Sequence, residues 1–308
     1  MKKIAVIFSS LFVFAATILF LQTNAFAQTN QSAEWIRAQS DNDEFSVEVP
    51  ADYGFFVDKT GFSVSDSSDS YPLEEVKMFN SFTEKTLIAF ESYKAGKKAL
   101  NAIIEQDARN GKTSEIRLRS GASVKQVLIK TDKFYTVRQY LFSKNYIYIL
   151  TAASRNGETP AMKRFLNSLV FKPESSGSAI DDVVLFSALK TSQIEIDENP
   201  EPLKKPDKSP TVSLPVRDES VEPLTIVLKP AASYTEAARQ TAETGSIQIR
   251  ITFSQKGFVS KVGLLKTLKS GLTRQAFFAA LRIKFLPQEK DEKPVTVTKV
   301  VEYAFHIY

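Results

Sequence analysis

Cysteine is absent from all 308 residues, which excludes disulfides, thiolate nucleophiles and cysteine metal sites and leaves any fold to stand on its packed core. Histidine occurs once, as His306, near the end of the alternating run from Val301 to Ile307. On a two-residue period it shares a face with Glu302 and Ala304, which reads as a solvated strand position rather than a general base. Paired catalytic carboxylates, a nucleophile elbow, a glycine-rich phosphate loop and a clustered metal-ligand set are all missing. The chain therefore reads as a non-enzyme with no cofactor. The acidic pairs Glu74-Glu75 and Asp181-Asp182 read as solvated surface. Beyond residue 27 no stretch is long and apolar enough to cross a bilayer.

The chain is about twice the length one core usually serves, so two domains are expected, and a hydrophobic content of 43% is that of a globular protein. The net charge of +5 hides an asymmetry. Residues 28–172 hold 20 basic and 18 acidic side chains, residues 173–224 hold 5 and 11, and residues 225–308 hold 13 and 6. The acidic middle and the basic end are expected to attract each other or different partners. Residues 1–27 read as a signal sequence, with Lys2-Lys3, the apolar run Ile4 to Leu21 and the small-x-small site Ala25-Phe26-Ala27. The alternative is an uncleaved anchor, since 18 helical residues span about 27 Å against a hydrocarbon core of about 30 Å. Either way the rest of the chain is expected outside the cytoplasm, periplasmic after cleavage or anchored to the inner membrane and facing the periplasm. Export argues against nucleic acid as the partner of the basic end.

The overall fold class is α+β. Residues 34–172 form the first α+β domain. Strands are expected at Phe45 to Pro50, Val76 to Phe82, Leu87 to Tyr93, Ser123 to Thr131, Phe134 to Phe142 and Tyr146 to Ala152, the last three as an antiparallel meander across short polar turns. Leu100, Ile103, Ile104 and Asp107 recur at helical spacing ahead of Asn110-Gly111, and Thr159-Pro160 supplies an N-cap and first-turn proline for a helix running to Phe171. The dense aromatics Phe134, Tyr135, Tyr140, Phe142, Tyr146 and Tyr148 read as core and cross-strand packing. The order, with Phe45-Ser46-Val47-Glu48-Val49-Pro50 near the start and Ser168-Leu169-Val170-Phe171 at the end, resembles exported domains of the PsbP/Mog1-like type, whose members mostly bind proteins.

Residues 173–224 read as an acidic, proline-rich linker, opened by Ser175-Ser176-Gly177-Ser178, with Val183 to Phe186 as a segment able to dock on a neighbour. Two independently folding halves are expected on either side of it.

Residues 225–308 carry the most pattern. Ser233-Tyr234-Thr235-Glu236 reads as a capping box with Ser233 as the cap. Ser246 to Ser254 alternates, Gln255-Lys256-Gly257 turns the chain into Phe258 to Leu265, a helix runs from Leu272 to Ile283, and Val295 to Tyr308 returns as a strand. The expectation is a three-stranded antiparallel sheet with two helices over one face. Pro230, Tyr234, Ala238-Arg239, Gly245, Gly257-Phe258-Val259, Leu272 to Ala276, Phe285-Leu286-Pro287 and Tyr303-Ala304-Phe305, in that order, make this part resemble the TonB C-terminal domain. Thr235, where the family has a proline, and Glu292, where it has a glycine, depart from the pattern.

The resemblance implies a periplasmic, energy-transducing domain that grips a short extended segment of an outer-membrane TonB-dependent receptor, or of another envelope protein, by adding it to a sheet edge. The implied binding edge is Val300, Val301, Glu302, Tyr303, Ala304, Phe305, His306, Ile307 and Tyr308, with Tyr303, Phe305 and Ile307 facing the helices. Coupling to an inner-membrane motor for transport is implied as well, although Ile4 to Leu21 lacks the histidine the family's anchoring helix carries. A scaffold or adaptor without a motor is the alternative, and a homodimer is a further partner arrangement.

Overall fold

Residues 34–39, 45–58, 62–65, 69–143, 146–171, 194–197, 200 and 220–306 are described by a computed structural model. The signal sequence, Val183 to Phe186, most of the linker, Ile307 and Tyr308 lie outside them. From Trp35 onward the described residues belong to one compact unit.

The first half begins with strands β1 (Trp35–Gln39), β2 (Phe45–Pro50), β3 (Gly54–Asp58), β4 (Phe62–Ser65), β5 (Ser70–Thr83) and β6 (Thr86–Lys94). Helix α1 (Lys97–Ala108) and strands β7 (Lys112–Arg117), β8 (Ser123–Lys130), β9 (Tyr135–Ser143) and β10 (Tyr146–Ser154) follow, then helix α2 (Pro160–Asn167) and β11 (Val170–Phe171). One antiparallel sheet runs β3-β5-β6-β10-β9-β8-β7, with β4 paired to β5. Its central strands β6 and β10 are buried along nearly their whole length, which explains why they read as continuous apolar runs rather than alternations.

On one face Ile88, Phe90, Tyr148 and Leu150 pack with the small sheet β1-β2-β11 and with Met162 and Phe165 of α2. Thr159 caps α2, its hydroxyl accepting from the Met162 amide at 3.1 Å. The expected helix to Phe171 stops at Asn167, because Val170 and Phe171 pair with Ser46 and Phe45. The other face carries Tyr93, Ile147 and Ile149 against Leu100 and Ile103 of α1.

The second half adds strands β12 (Glu195–Asp197), β13 (Val221–Glu222) and β14 (Thr225–Leu228), helix α3 (Glu236–Gln240), strands β15 (Gly245–Phe253) and β16 (Val259–Lys266) and helix α4 (Leu272–Leu281). It ends with β17 (Lys284–Leu286), β18 (Gln288–Lys290), β19 (Lys293–Val295) and β20 (Val297–Phe305). The main sheet is ordered β12-β16-β15-β20. Where three strands were expected there are four, because Glu195–Asp197 from within the proline-rich middle pairs parallel with β16. The long final strand is broken at Thr296, whose hydroxyl accepts from the Gln255 amide at 3.1 Å. The cap of α3 is Thr235, which accepts from the Ala238 amide at 3.1 Å, and not Ser233. Ser233 instead donates to the Ser63 carbonyl at 2.9 Å, a contact to the first half that local pattern does not encode.

That contact belongs to a broad seam. One buried cluster contains Phe62, Tyr93, Ile103 and Ile149 from the first half and Ile249, Leu272, Phe278 and Phe285 from the second. Phe62 stacks on Phe278 with centroids 5.2 Å apart, and the Ser63 amide donates to Gln275 Oε1 at 3.1 Å. Arg155 reaches Glu289 at 2.9 Å and the Pro287 carbonyl at 2.6 Å. The hairpin tip between β15 and β16 also docks on the first half: Lys256 pairs with Asp52 at 2.7 Å, and the Phe258 ring lies over Gly54. A Cβ on Gly54 would fall inside that ring, so the position admits only glycine. The expectation of two independent folding units thus meets a shared core, with apolar faces on both sides of the linker covering each other.

Gly54→Val is expected to destabilise the whole chain by about 1–3 kcal/mol through overpacking, read as a lowered midpoint in chemical denaturation. An unchanged midpoint would mean that the hairpin tip is not seated there.

Candidate functional site

The edge of the second sheet is built by β20. It pairs antiparallel with β15 from Gly245↔Phe305 to Phe253↔Val297, and β15 is its only neighbour among the described residues. Alternation splits its side chains cleanly. Tyr303 and Phe305 are buried under the sheet and Val301 is half-buried, while Val300, Glu302 and Ala304 are exposed on the open face. Phe305 meets the Tyr234 ring edge-on at 5.8 Å, so the chain entering α3 holds the end of this strand in register. His306 follows the strand and is exposed; Ile307 and Tyr308 lie outside the described residues.

One side chain marks the outward direction of the backbone. Lys229 Nζ donates to the Glu302 carbonyl at 2.8 Å and stands 4.9 Å over the Tyr303 ring. Main-chain groups alternate sides along a strand, so the N–H and C=O of Glu302 look away from β15 and those of Tyr303 look toward it. A cation placed on an open edge discourages chance pairing, and an incoming strand has to take its place. Burial pushes the Tyr303 hydroxyl above its ordinary range, so it stays neutral.

Beneath this sheet the seam holds a group of charges that sequence reading missed. Glu91 on β6 is fully buried and is approached by Lys284 Nζ at 3.1 Å, Arg138 Nη2 at 3.1 Å and Arg282 Nε at 3.8 Å. Arg138 also pairs with Asp107, which accepts from the Tyr140 hydroxyl at 2.7 Å, and donates to Thr151 at 3.0 Å. Lys284 donates to Asn80 Oδ1 at 2.9 Å, and Arg282 to the Tyr93 hydroxyl at 3.0 Å. Arg282 and Lys284 come from the second half and Glu91, Arg138 and Asp107 from the first. Burial alone would push the Glu91 carboxyl up; Lys284, Arg282 and Arg138 outweigh it and hold it down to about 2. Burial pushes the Asp107 carboxyl up and prevails over Arg138 and Tyr140. The available signal was a charge within an apolar strand: Glu91 in Leu87 to Tyr93, Arg138 in Phe134 to Phe142, and Arg282 and Lys284 alternating with Ile283 and Phe285.

The site has no donor set for metal chemistry: among the described residues no group of three His, Cys, Asp or Glu side chains converges. No helix among them is long and apolar enough to cross a membrane.

The geometry defines a class of domain: a short capped helix, a hairpin, a second helix and a returning edge strand. Residues 230–307 match the family of Gram-negative bacterial TonB protein C-terminal domains, which is the resemblance read from Pro230 to Phe305. No curated protein matches the sequence. A solved structure from Bacteroides thetaiotaomicron is similar at 12% identity over 46% of this chain, with a TM-score of 0.28. The chain spans about half the length of that protein, covering 50% of it.

Replacing Glu91 by Gln leaves Arg138, Arg282 and Lys284 facing a neutral group, and a loss of about 3–5 kcal/mol of folding stability is expected. The folded carboxyl titrates near 2 against an ordinary 4.5, so its stabilisation is complete above pH 4.5 and is lost as pH falls toward 2. Asp107 acts with opposite sign: its folded value lies above 3.8, so its contribution is complete below that pH and declines as pH rises. The stability gap between the parent and Glu91→Gln isolates the first effect and should shrink by on the order of 3 kcal/mol between about pH 5 and pH 2. A gap that does not change with pH would contradict an ionised Glu91.

Proposed function

We propose that the chain is a TonB-like protein of the cell envelope that acts by binding rather than catalysis. Its C-terminal domain takes an extended segment of an outer-membrane receptor as an added strand along Val297–Phe305. The observation that supports this reading is the nine-residue edge strand, paired among the described residues on one side only and held in register by Tyr303 and Phe305. The family match over residues 230–307 supports it from the sequence side. The receptor strand would replace Lys229 at the Glu302 carbonyl and bond to alternate main-chain groups, giving modest affinity because the peptide is ordered on binding. The expected location is the periplasmic side, free after removal of residues 1–27 or tethered by them. In the tethered form the same contact transmits pull from an inner-membrane motor to the receptor.

The second reading, an adaptor without a motor, draws on the seam. Because the first half is fixed to the underside of the binding domain through Glu91, Arg282 and Lys284, a strand bound at the edge would be held at a fixed distance from the aromatic-rich first half. Determining the mature N-terminus in the native host separates the two: Gln28 supports the adaptor and Met1 the transducer.

Strand addition predicts a clear asymmetry between neighbours. Glu302→Pro removes an outward N–H and spares the ladder to β15, so receptor-peptide affinity should fall at least about tenfold, some 1.4 kcal/mol, with the fold retained. Tyr303→Pro removes an inward N–H and should destabilise the domain itself. The measurement is amide exchange on the full chain titrated with peptides from the host's outer-membrane receptors. Alternate amides between Val297 and Phe305 should gain protection in the parent and not in Glu302→Pro. Self-association through this edge would appear as protection that rises with protein concentration and without peptide. Equal peptide affinity in the parent and Glu302→Pro would remove the strand-addition reading.

A further inference from the structure

The opposite edge of the same sheet is already occupied, and its occupant comes from the acidic middle of the chain. Glu195, Ile196 and Asp197 run parallel to β16, in register with Lys261, Val262 and Gly263. Lys261 pairs with Glu195 at 2.5 Å and with Asp197 at 3.8 Å, so one cation reads both carboxylates of an acid-x-acid strand. Ile194, just before, lines a small pocket of about 20 Å³ at the seam with Phe56, Met78, Phe258 and Leu281. Pro200, just after, lies on Gly263, where an added Cβ would stand 3.0 Å from the proline Cβ. Gly263 is buried although it sits on the open face of the sheet, because Pro200 and Asp197, whose Cβ would stand 3.3 Å from an added Cβ, cover it.

Four features thus recognise one short segment: a pocket for an apolar side chain, main-chain pairing, a lysine for two carboxylates and a bare glycine for a proline. The hold is nevertheless slight. Three residues of ladder are short for a strand, Ile196 is 57% exposed, and Lys261 and Glu195 both reach solvent, where ion pairs contribute little. A segment recognised at several points and weakly held has the character of a tethered ligand.

We propose that the β16 edge is a second strand-addition site, selective for an extended apolar–acid–apolar–acid segment followed three residues later by proline, and filled in the resting chain by its own Ile194–Asp197 and Pro200. The tether supplies an effective concentration on the order of millimolar, so a competing segment of the same chemistry enters only when the chain's own copy is released. Parallel pairing sets the direction of that competitor, and Lys261 sets its charge. This edge takes an acidic strand, unlike the Val297–Phe305 edge, whose outward carbonyl is met by a lysine. The two sites are read by different amides, so either can fail without the other.

The test uses the full chain with Glu195→Lys and Asp197→Lys together, which reverses the segment's charge and leaves the acceptor strand untouched. Those amides of Lys261–Gly263 that face away from β15 should exchange at least about tenfold faster, while those of Thr86–Lys94 keep their protection. A labelled peptide with the sequence of residues 192–202 should bind this variant and restore slow exchange at the same outward amides, and should not bind the parent. Adding Lys261→Glu to the variant should restore slow exchange without peptide, because the charges are complementary again. Unchanged exchange at the outward amides of Lys261–Gly263 would overturn the proposal, as would peptide protection appearing at Val297–Phe305 instead. Faster exchange both there and in Thr86–Lys94 that Lys261→Glu fails to reverse would make the segment a fixed strut, and would overturn it equally.

Discussion

A carboxylate without water must be met by positive charge, and Glu91 is met by three cations of which two belong to the other half of the chain. Neither half can bury its share alone. Without Arg282 and Lys284, Glu91 and Asp107 face only Arg138; without Glu91, Arg282, just after α4, and Lys284, on β17, would be desolvated with no counter-charge. The apolar contacts around this group, Phe62 on Phe278 and the Phe258 ring over Gly54, bring the halves together without orientation of their own. The charged group, with its hydrogen bonds to Tyr93, Asn80 and Thr151, fixes one relative position.

From that position the two edges of the C-terminal sheet acquire their roles. Its lower face rests on the first half, so a partner has only the open face and the two edges to use. At one edge, β20 presents nine residues of backbone with Lys229 as guard. At the other, β16 adjoins the seam closely enough for Ile194 to enter a pocket lined by both halves. The strongly basic count of residues 225–308 accordingly overstates the positive surface, because Arg282 and Lys284 are consumed inside. Lys261 pairs with two carboxylates of the acidic middle, Glu195 and Asp197.

Elements governed by local rules were legible in the sequence. Thr159-Pro160 caps α2, Leu100 to Asp107 is a helix, the meander β8-β9-β10 forms, and the alternation of Tyr303 and Phe305 against Glu302 and Ala304 stands as read. Features governed by distant partners were not legible. Ser233 looked like a cap until Ser63, 170 residues away, was seen to take its hydroxyl, and Val170-Phe171 looked helical until Phe45 and Ser46 offered a strand. Glu195–Asp197 reads as linker because three residues carry no periodicity, and only the exposed side of β16 makes them a strand. Charges inside strands, Glu91 and Arg138 above all, were visible as letters, but their partners lie far along the chain: Arg138 meets Glu91 across 47 residues, and Arg282 meets Tyr93 in the same cluster across 189.

The central claim is that the buried charge group makes the two halves one cooperative body. Native-state amide exchange across a denaturant series measures this directly, with Leu87–Phe90 reporting the first half and Ile247–Ile251 the second. The account predicts that both sets of amides converge on the same free energy and the same denaturant dependence, with opening of either half requiring opening of the other. Exchange of Leu87–Phe90 through a separate, lower-energy opening that leaves Ile247–Ile251 protected would contradict it.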